Sequence, residues 1–202
     1  MNKIMVFLIA GWSGFYVMAI ELLSGRILAP NFGSSIYVWG GVITIFMLAL
    51  SIGYLLGGRL SLHSPTLRRL SLILIIAATT TTPVIFAADM VLDAIFNLEI
   101  DPRYGSLLSA AILFFLPTVI SGMISPYAVR LLVDDSKSSG HSAGLLYFVS
   151  TFGSALGTIL TSFYLVMWFE MNKIVWGLIA ISLAISALAW LINDTGRTHD
   201  DA

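Results

Sequence analysis

The chain has no cysteine and few charges: only 10% of its 202 residues are Asp, Glu, Lys or Arg, whereas about a quarter are charged in soluble domains. Without cysteine it forms neither a disulfide framework nor a thiolate metal site. Ten basic and eleven acidic residues give a net charge of −1. This balance argues against nucleic-acid binding, because a protein needs a basic face to neutralise phosphates. So few charges also exclude a soluble globular enzyme.

Apolar residues dominate instead, at 58% of the chain with a mean hydropathy of +0.94. A membrane-spanning helix needs about 20 consecutive apolar residues. Six stretches qualify, at residues 4–27, 36–56, 70–88, 107–132, 144–169 and 174–192. They are too long for barrel strands and lack the alternation of barrel strands. The sequence predicts an all-α, polytopic membrane protein, with a six-helix transmembrane domain over residues 1–192 and a short cytoplasmic tail at 193–202.

Basic residues are distributed unevenly between the two ends of these spans. The side that holds the N-terminus carries Lys3, Arg59, Arg68, Arg69, Arg130, Lys137 and Arg197. The opposite side carries Arg26, Arg103 and Lys173. Because cytoplasmic loops are enriched in Lys and Arg, we expect both termini in the cytoplasm and the chain in the plasma (inner) membrane.

A polar, Ser- and Gly-rich segment at 133–143 divides the chain into three spans and three spans. This is the layout of half a major-facilitator transporter, whose halves contain inverted three-span repeats. No sequence repeat between the two halves is evident.

Two pairs of glycines have the spacing that lets helix backbones approach closely. Gly53 and Gly57 lie in the second span, and Gly153 and Gly157 lie in the fifth. Two interpretations stay open, which are tight packing within one bundle and a seam between two copies of the chain.

The fourth span carries Pro117 and Pro126 on either side of Gly122. Each proline removes a backbone donor and clashes one turn back, so the helix is expected to kink or break. Freed carbonyls at membrane depth are tolerated only against protein or a wet cavity, and broken helices often mark transporter sites. The alternative is a structural kink capped by nearby hydroxyls, among them Ser121 and Ser125.

Glu21 is the one carboxylate that the apolar pattern places inside a span. A charge at that depth is expensive and needs a partner. Arg26 lies about 140° around the helix from Glu21, so a direct pair would need bent side chains. Glu21 either braces the bundle with Arg26 or lines a cavity that binds a cation, with Ser121 and Ser125 as further substrate-binding candidates.

Arg59 follows two glycines after the second span, in the segment 57–65. Its spacing is typical of the glycine-arginine loop that steadies the inner gate of major-facilitator carriers, although the usual Asp is missing. The alternative is that Arg59 only adds to the positive charge that orients the chain in the membrane. The histidines lie outside the spans without an acid or Cys cluster, so no metal site is expected, and no phosphate-binding loop is present. We expect no cofactor.

Four stretches together resemble the membrane domain of spermidine-synthase-like membrane proteins, in which a major-facilitator-like part is fused to a synthase. They are ELLSGRILAPNFGS at 21–34 followed by Trp39; GYLLGGR at 53–59; Leu116, Pro117, Gly122, Pro126 and Arg130; and GLLY at 144–147 followed by Thr151, Gly153 and Gly157. The chain departs from the family at Ser150, where Asn is usual.

The resemblance implies a membrane module and a soluble aminopropyltransferase domain that would follow it. The chain stops where that domain would begin, so we expect no synthase activity from this polypeptide. Two functions stay open. One is a transporter-like protein that binds or moves a small solute, for which the family suggests a polyamine or related amine. The other is a non-transporting anchor or assembly subunit for a separate synthase-like enzyme. Expected partners are the lipid bilayer, a second copy or that enzyme, and no nucleic acid.

Overall fold

In the computed structural model, which describes residues 2–133 and 139–195, the regular structure is helical. The helices are α1 Lys3–Phe32, α2 Ile36–Leu60, α3 Leu67–Phe96, α4 Pro102–Gly122, α5 Ile124–Leu132, α6 Ser139–Leu160, α7 Val166–Trp168 and α8 Met171–Thr195, with a π-helical turn at Thr161–Leu165.

Six segments within those ranges are long and apolar enough to cross a membrane. They are span 1 Lys3–Phe32, span 2 Ile36–Leu60, span 3 Leu67–Phe96, span 4 Pro102–Leu132, span 5 Ser139–Trp168 and span 6 Met171–Ile192. The prediction of an all-α, polytopic membrane protein is confirmed. Lys137, Arg197 and the larger part of the 193–202 tail lie outside the described residues.

The helices extend beyond the apolar stretches that predicted them. Asp89 and Asp93, expected in an outer connection, lie in the last turns of α3. Asn31, also expected beyond its span, lies near the end of α1, and its side-chain amide donates to the Asp93 carboxylate at 3.1 Å. Hydropathy detects the residues that suit hydrocarbon. It does not detect where backbone hydrogen bonding ends, and helices continue into the polar region of a bilayer.

Local signals explain several helix ends. The Thr66 hydroxyl accepts from the Arg69 N–H at 3.3 Å where α3 begins. The Asp101 carboxylate accepts from the Arg103 N–H at 2.9 Å before α4, with Pro102 at the first helical position. Such residues satisfy the first N–H groups of a helix, which have no partner inside it. At the other end of α1, Gly33 has φ 76° and its N–H donates to the Ala29 carbonyl.

Span 1 packs most extensively against span 5, span 2 against span 4, and span 3 against spans 4 and 6. The buried side chains form two clusters. One, around Met5, Leu70 and Tyr127, lies towards the side that holds the N-terminus. The other, around Leu23 and Phe114, lies towards the opposite side. The serines described below lie between these two clusters.

The second span meets the fourth through its glycine pair. A Cβ added at Gly53 would lie 2.2 Å from the Val119 carbonyl oxygen, and one at Gly57 would lie 2.3 Å from the Met123 carbonyl oxygen. Both distances are far below van der Waals contact, so only glycine allows this approach of the two backbones.

The fifth span meets the first in the same way. A Cβ at Gly153 would lie 2.0 Å from the Gly11 carbonyl oxygen, and one at Gly157 would lie 2.5 Å from the Phe15 carbonyl oxygen. The structure therefore places all four predicted packing glycines in contacts within one chain, and none of these contacts needs a second copy.

These two contacts relate the halves of the chain to each other. In each half the glycine pair of the middle span packs on the first span of the other half. In both contacts the two helices run in the same direction, because a later glycine meets a later residue of the partner helix. When the two contacts are aligned, Ser13-Gly14 of span 1 corresponds to Ser121-Gly122 of span 4, which is the same dipeptide. The Ser13 hydroxyl donates to the Ser121 carbonyl at 3.4 Å. Since three spans reverse the chain direction, we interpret the first two spans of each half as an inverted repeat; the third spans differ, because span 3 packs on span 4 more extensively than span 6 packs on span 1. The sequence alone did not show it, because few residues besides the contact glycines match.

Candidate functional site: a hydroxyl-lined cavity at the break in span 4

Span 4 is interrupted where its prolines predicted. α4 ends at Gly122 and α5 begins at Ile124, and the Met123 N–H donates to the Ile120 carbonyl at 3.1 Å, one residue short of the α-helical partner. Pro126 has no N–H, so the Gly122 carbonyl one turn back loses its usual donor. Pro117 lies within α4 and has the same effect on the carbonyl one turn before it. The break thus leaves polar backbone groups inside the bundle.

A cavity lies beside this break, at the junction of the two repeats. One part, of about 180 Å³, is lined by Ser13, Gly14, Val17, Met18, Leu50, Tyr54, Ser121, Gly122, Ser125, Ser150 and Ser154. A second part, of about 280 Å³, is lined by Tyr54, Ser125, Pro126, Tyr147, Ser150, Thr151 and Ser154. The two parts share four hydroxyl-bearing residues, and we call them together the hydroxyl cavity.

Some of these hydroxyls are bonded within the protein. The Ser121 hydroxyl donates to the Pro117 carbonyl at 2.8 Å, and the Ser154 hydroxyl donates to the Ser150 carbonyl at 3.1 Å. The Pro117 carbonyl is not one of those that the two prolines deprive of a donor, so this bond does not cap the break. These two serines stabilise the helix backbone and also line the cavity.

Five other hydroxyls that line the cavity have no hydrogen-bond partner within the described residues. They belong to Tyr54, Ser125, Tyr147, Ser150 and Thr151. Each hydroxyl offers one donor and two acceptor sites. Groups of this kind lose free energy when they face only hydrocarbon. The cavity is therefore suited to water or to a polar solute.

The predicted substrate-binding residues divide between two places. Ser121 and Ser125 line the hydroxyl cavity, whereas Glu21 and Arg26 are not among its lining residues. Arg26 is exposed and Glu21 is half-buried. No ion pair joins these two described residues. Their angular separation on α1 explains the missing direct pair, and bracing of the bundle by the two residues stays a prediction.

The helical register shows where Glu21 lies. It follows Gly14 by seven residues, two turns further along the same face of α1. Gly14 packs on Ser150 and Ser154 of span 5, so Glu21 lies about 10 Å beyond that contact at the 1.5 Å helical rise. This is the level of the π-helical turn Thr161–Leu165, which also packs on α1.

Arg59 lies in the last turn of α2, is exposed, and does not line the cavity. A positive charge there suits the negative end of the helix dipole. The following loop is held by other residues. The Arg69 guanidinium donates to the Ser64 carbonyl at 3.2 Å and also to the His63 carbonyl.

Tyr127 is a structural residue that the sequence analysis missed. Its side chain is fully buried, and its hydroxyl accepts from the Thr66 N–H at 3.0 Å. This bond joins α5, just after the break, to the start of α3. In the sequence, only its position next to Pro126 could have indicated this role. The bond fixes the position of one side of the cavity relative to the loop before span 3.

Neutral groups alone line the hydroxyl cavity, since no Asp, Glu, Lys or Arg is among its lining residues. Within the described residues, no group of three His, Cys, Asp or Glu side chains could hold a metal ion. The cavity can thus form hydrogen bonds to a solute and place aromatic faces beside it, but it offers no counter-charge.

No protein-family model, curated protein or solved structure matches the chain. The resemblance to spermidine-synthase-like membrane proteins and the half-major-facilitator arrangement therefore stay predictions. Ser150, the position at which the chain departs from that family, is one of the cavity's unpartnered hydroxyls.

Proposed function

We propose that this protein is a transporter-like membrane protein that binds a small polar solute in the hydroxyl cavity. The observation that carries the proposal is the convergence of five unpartnered hydroxyls on a cavity beside a broken span. Irregular backbone at membrane depth is tolerated where it lines a cavity, and such breaks recur at solute sites.

The volume and the charge of the cavity limit the solute. The larger part, about 280 Å³, is slightly below the usual range for drug-sized ligands, roughly 300–1,000 Å³. A single ammonium group could be held by hydroxyl oxygens, by the Gly122 carbonyl and by the faces of Tyr54 and Tyr147. Several positive charges would have no carboxylate to pair with. We therefore propose a neutral or singly charged solute. Among amines, we propose that the cavity binds an amino alcohol more tightly than a polyamine.

Binding to the purified protein in lipid nanodiscs tests this proposal. We expect 4-amino-1-butanol, with one ammonium and one hydroxyl, to bind more tightly than 1,4-diaminobutane, with two ammonium groups. Ser125→Ala should weaken amino-alcohol binding by about fivefold to tenfold, because one hydrogen bond contributes on the order of 1 kcal/mol.

Two control variants show whether the loss is specific to the cavity. Thr79→Ala removes an exposed hydroxyl of α3 that donates to the Ile76 carbonyl at 3.1 Å, and it should leave binding unchanged. Glu21→Gln should also change binding little, because Glu21 lies outside the cavity lining. If Glu21→Gln abolishes binding while Ser125→Ala has no effect, the solute site is at Glu21 and the cavity proposal is wrong.

Transport, a cytoplasmic position for both termini and the plasma membrane are part of this proposal and rest on the basic-residue asymmetry and the resemblance. The inverted repeat supports transport, because carriers built from such repeats bind solute where the repeats meet. The hydroxyl cavity lies at that junction.

The anchor for a separate synthase-like enzyme is the second candidate. The observation that favours it is the loop between α2 and α3, which Arg69 and Tyr127 hold in place beside the basic helix end at Arg59. A fixed basic surface suits an acidic protein partner. The polar segment 133–143 is another candidate docking surface, and it lies partly outside the described residues.

A further inference from the structure

A narrow apolar groove runs between spans 1, 5 and 6, and none of its lining residues lines the hydroxyl cavity. It has a volume of about 300 Å³. Its lining consists of Trp12, Phe15, Leu165 and Phe169 together with one face of α8 from Lys173 to Ile181. We call it the span 6 groove. Phe169, Lys173 and Ile181 are exposed, so the groove opens to the surroundings of the bundle.

Polar groups at the wall of the groove have partners within the protein. The Trp12 indole N–H donates to the Ser182 hydroxyl at 2.7 Å, and the indole ring stacks on Phe15 with the ring centroids 5.2 Å apart. The Phe169 N–H donates to the Leu165 carbonyl at 2.9 Å. Water would find few hydrogen bonds here, and apolar cavities of this kind stay dry. Because the groove opens sideways from membrane-spanning helices, the medium that fills it is hydrocarbon.

The dimensions of the groove suit one acyl chain. Lys173 and Ile181 are eight residues apart on α8, so the groove is about 12 Å long, close to half of the roughly 30 Å hydrocarbon core. Dividing the volume of about 300 Å³ by this length gives a mean cross-section of about 25 Å². A helix, with a diameter of about 10–12 Å, would need several times that area. The groove is therefore too narrow for a helix of another protein.

The end of the groove that lies opposite the N-terminal side of the bundle carries a charge pair. Lys173, in the first turn of α8, is the charged residue of the lining, and its Nζ lies 3.3 Å from a carboxylate oxygen of Glu170. Both side chains are exposed, and exposed pairs are weak, so each charge can also bind an external group. Trp168 and Trp176 nearby are exposed as well, as is typical of side chains at the level of lipid headgroups.

Adjacent positive and negative charges are complementary to a headgroup that carries both signs. The Lys173 ammonium can bind a lipid phosphate, and the Glu170 carboxylate can accept hydrogen bonds from a lipid ammonium group. A headgroup with negative charge alone would bring its charge close to the Glu170 carboxylate, which is repulsive. The charge pair thus favours a zwitterionic headgroup over an anionic one.

We propose that the span 6 groove binds one acyl chain of a zwitterionic phospholipid, with the phosphate on Lys173 and the ammonium group on Glu170. Phosphatidylethanolamine has this chemistry. Gly177 lies in the middle of the groove wall, and a Cβ added there would meet nothing within 4 Å. The space beside Gly177 is the space assigned to the acyl chain. This inference does not depend on the hydroxyl cavity or on transport.

Lipid retention, measured by native mass spectrometry of the purified protein, tests the proposal. The protein is mixed in detergent with equal amounts of phosphatidylethanolamine, phosphatidylglycerol and phosphatidylcholine that carry the same acyl chains. We expect the phosphatidylethanolamine adduct to dominate. Lys173→Gln should lower all three adducts by about twofold to fivefold, the effect of losing one exposed charge interaction. Glu170→Gln should lower the phosphatidylethanolamine adduct and raise the phosphatidylglycerol adduct. Arg26→Gln removes an exposed basic side chain outside the groove and should change none of them.

A pair of glycine variants tests whether the chain occupies the groove. Gly177→Leu should lower the phosphatidylethanolamine adduct at least as much as Lys173→Gln does, because the new side chain fills the groove. The matched control is Gly40→Leu. An added Cβ at Gly40 also meets nothing within 4 Å, and Gly40 lies within two turns of the start of α2, as Gly177 does in α8.

Equal amounts of the three adducts on the unmodified protein, or equal retention by Gly177→Leu and Gly40→Leu, would overturn the proposal. A reduced thermal stability of Gly177→Leu would leave the decision to the two charge variants, which alter exposed side chains. If no lipid preference is found but Ser125→Ala still weakens amino-alcohol binding, the proposed function stands and only this inference fails.

Discussion

Gly153→Ala adds one methyl group at the tightest contact between spans 1 and 5. The new Cβ would lie 2.0 Å from the Gly11 carbonyl oxygen and 2.8 Å from its carbonyl carbon. An ordinary carbon–oxygen contact is about 3.3 Å, so the shortfall is about 1.3 Å. Both neighbours are backbone atoms, and no rotamer change relieves the overlap. The helices must separate, which reduces packing along the whole contact.

We expect Gly153→Ala to lower the free energy of unfolding by roughly 1–3 kcal/mol, the usual cost of overpacking, and Gly153→Leu to lower it further. The matched control is Gly177→Ala in α8, where an added Cβ meets nothing within 4 Å and helix propensity favours Ala. Unfolding followed by circular dichroism in mixed micelles measures both. Equal stability of the two Ala variants would refute the argument that backbone contact at Gly153 holds span 5 on span 1.

Two further predictions concern the loops between spans. Tyr127→Phe removes the acceptor of the Thr66 N–H. Unfolding in mixed micelles should show a loss of about 0.5–1.5 kcal/mol, the net contribution of one hydrogen bond, because Thr66 is exposed and water can reach its N–H; unchanged stability would show that water replaces the bond fully. A cysteine at Asn97 should react with an impermeant thiol reagent added outside cells, and one at Ser64 should react only after the membrane is opened, because the basic residues predict a cytoplasmic α2–α3 loop. The reverse pattern would mean the opposite orientation.

Two features of the fold followed from the sequence for simple physical reasons. Long apolar stretches with few charges can be accommodated only as membrane-spanning helices, because hydrocarbon cannot satisfy an exposed backbone. The break in span 4 followed from Pro126, whose missing N–H removes the donor to the carbonyl one turn back, although Pro117 lies within the continuous helix α4. Each property belongs to a short segment of chain, so residue order alone is enough to predict it.

The site could be predicted only in part. Ser121 and Ser125 were expected near the break, and both line the cavity. Glu21 was chosen because it is charged within a span, but a charge pattern does not show the direction in which a helix face points. The cavity's other unpartnered hydroxyls, on Tyr54, Tyr147, Ser150 and Thr151, looked like ordinary span residues in the sequence.

Tertiary structure decided which glycines meet, which spans are neighbours and where the cavity lies. The sequence showed the small-residue spacing of Gly53 and Gly153, yet not that each packs on the first span of the other half. Helices in lipid associate through shape and backbone approach, because no hydrophobic difference from the surrounding acyl chains drives them together. The apolar pattern of a span therefore determines that it crosses the membrane, while its partners depend on contacts between residues far apart in the chain, such as Gly53 with Val119 and Gly153 with Gly11.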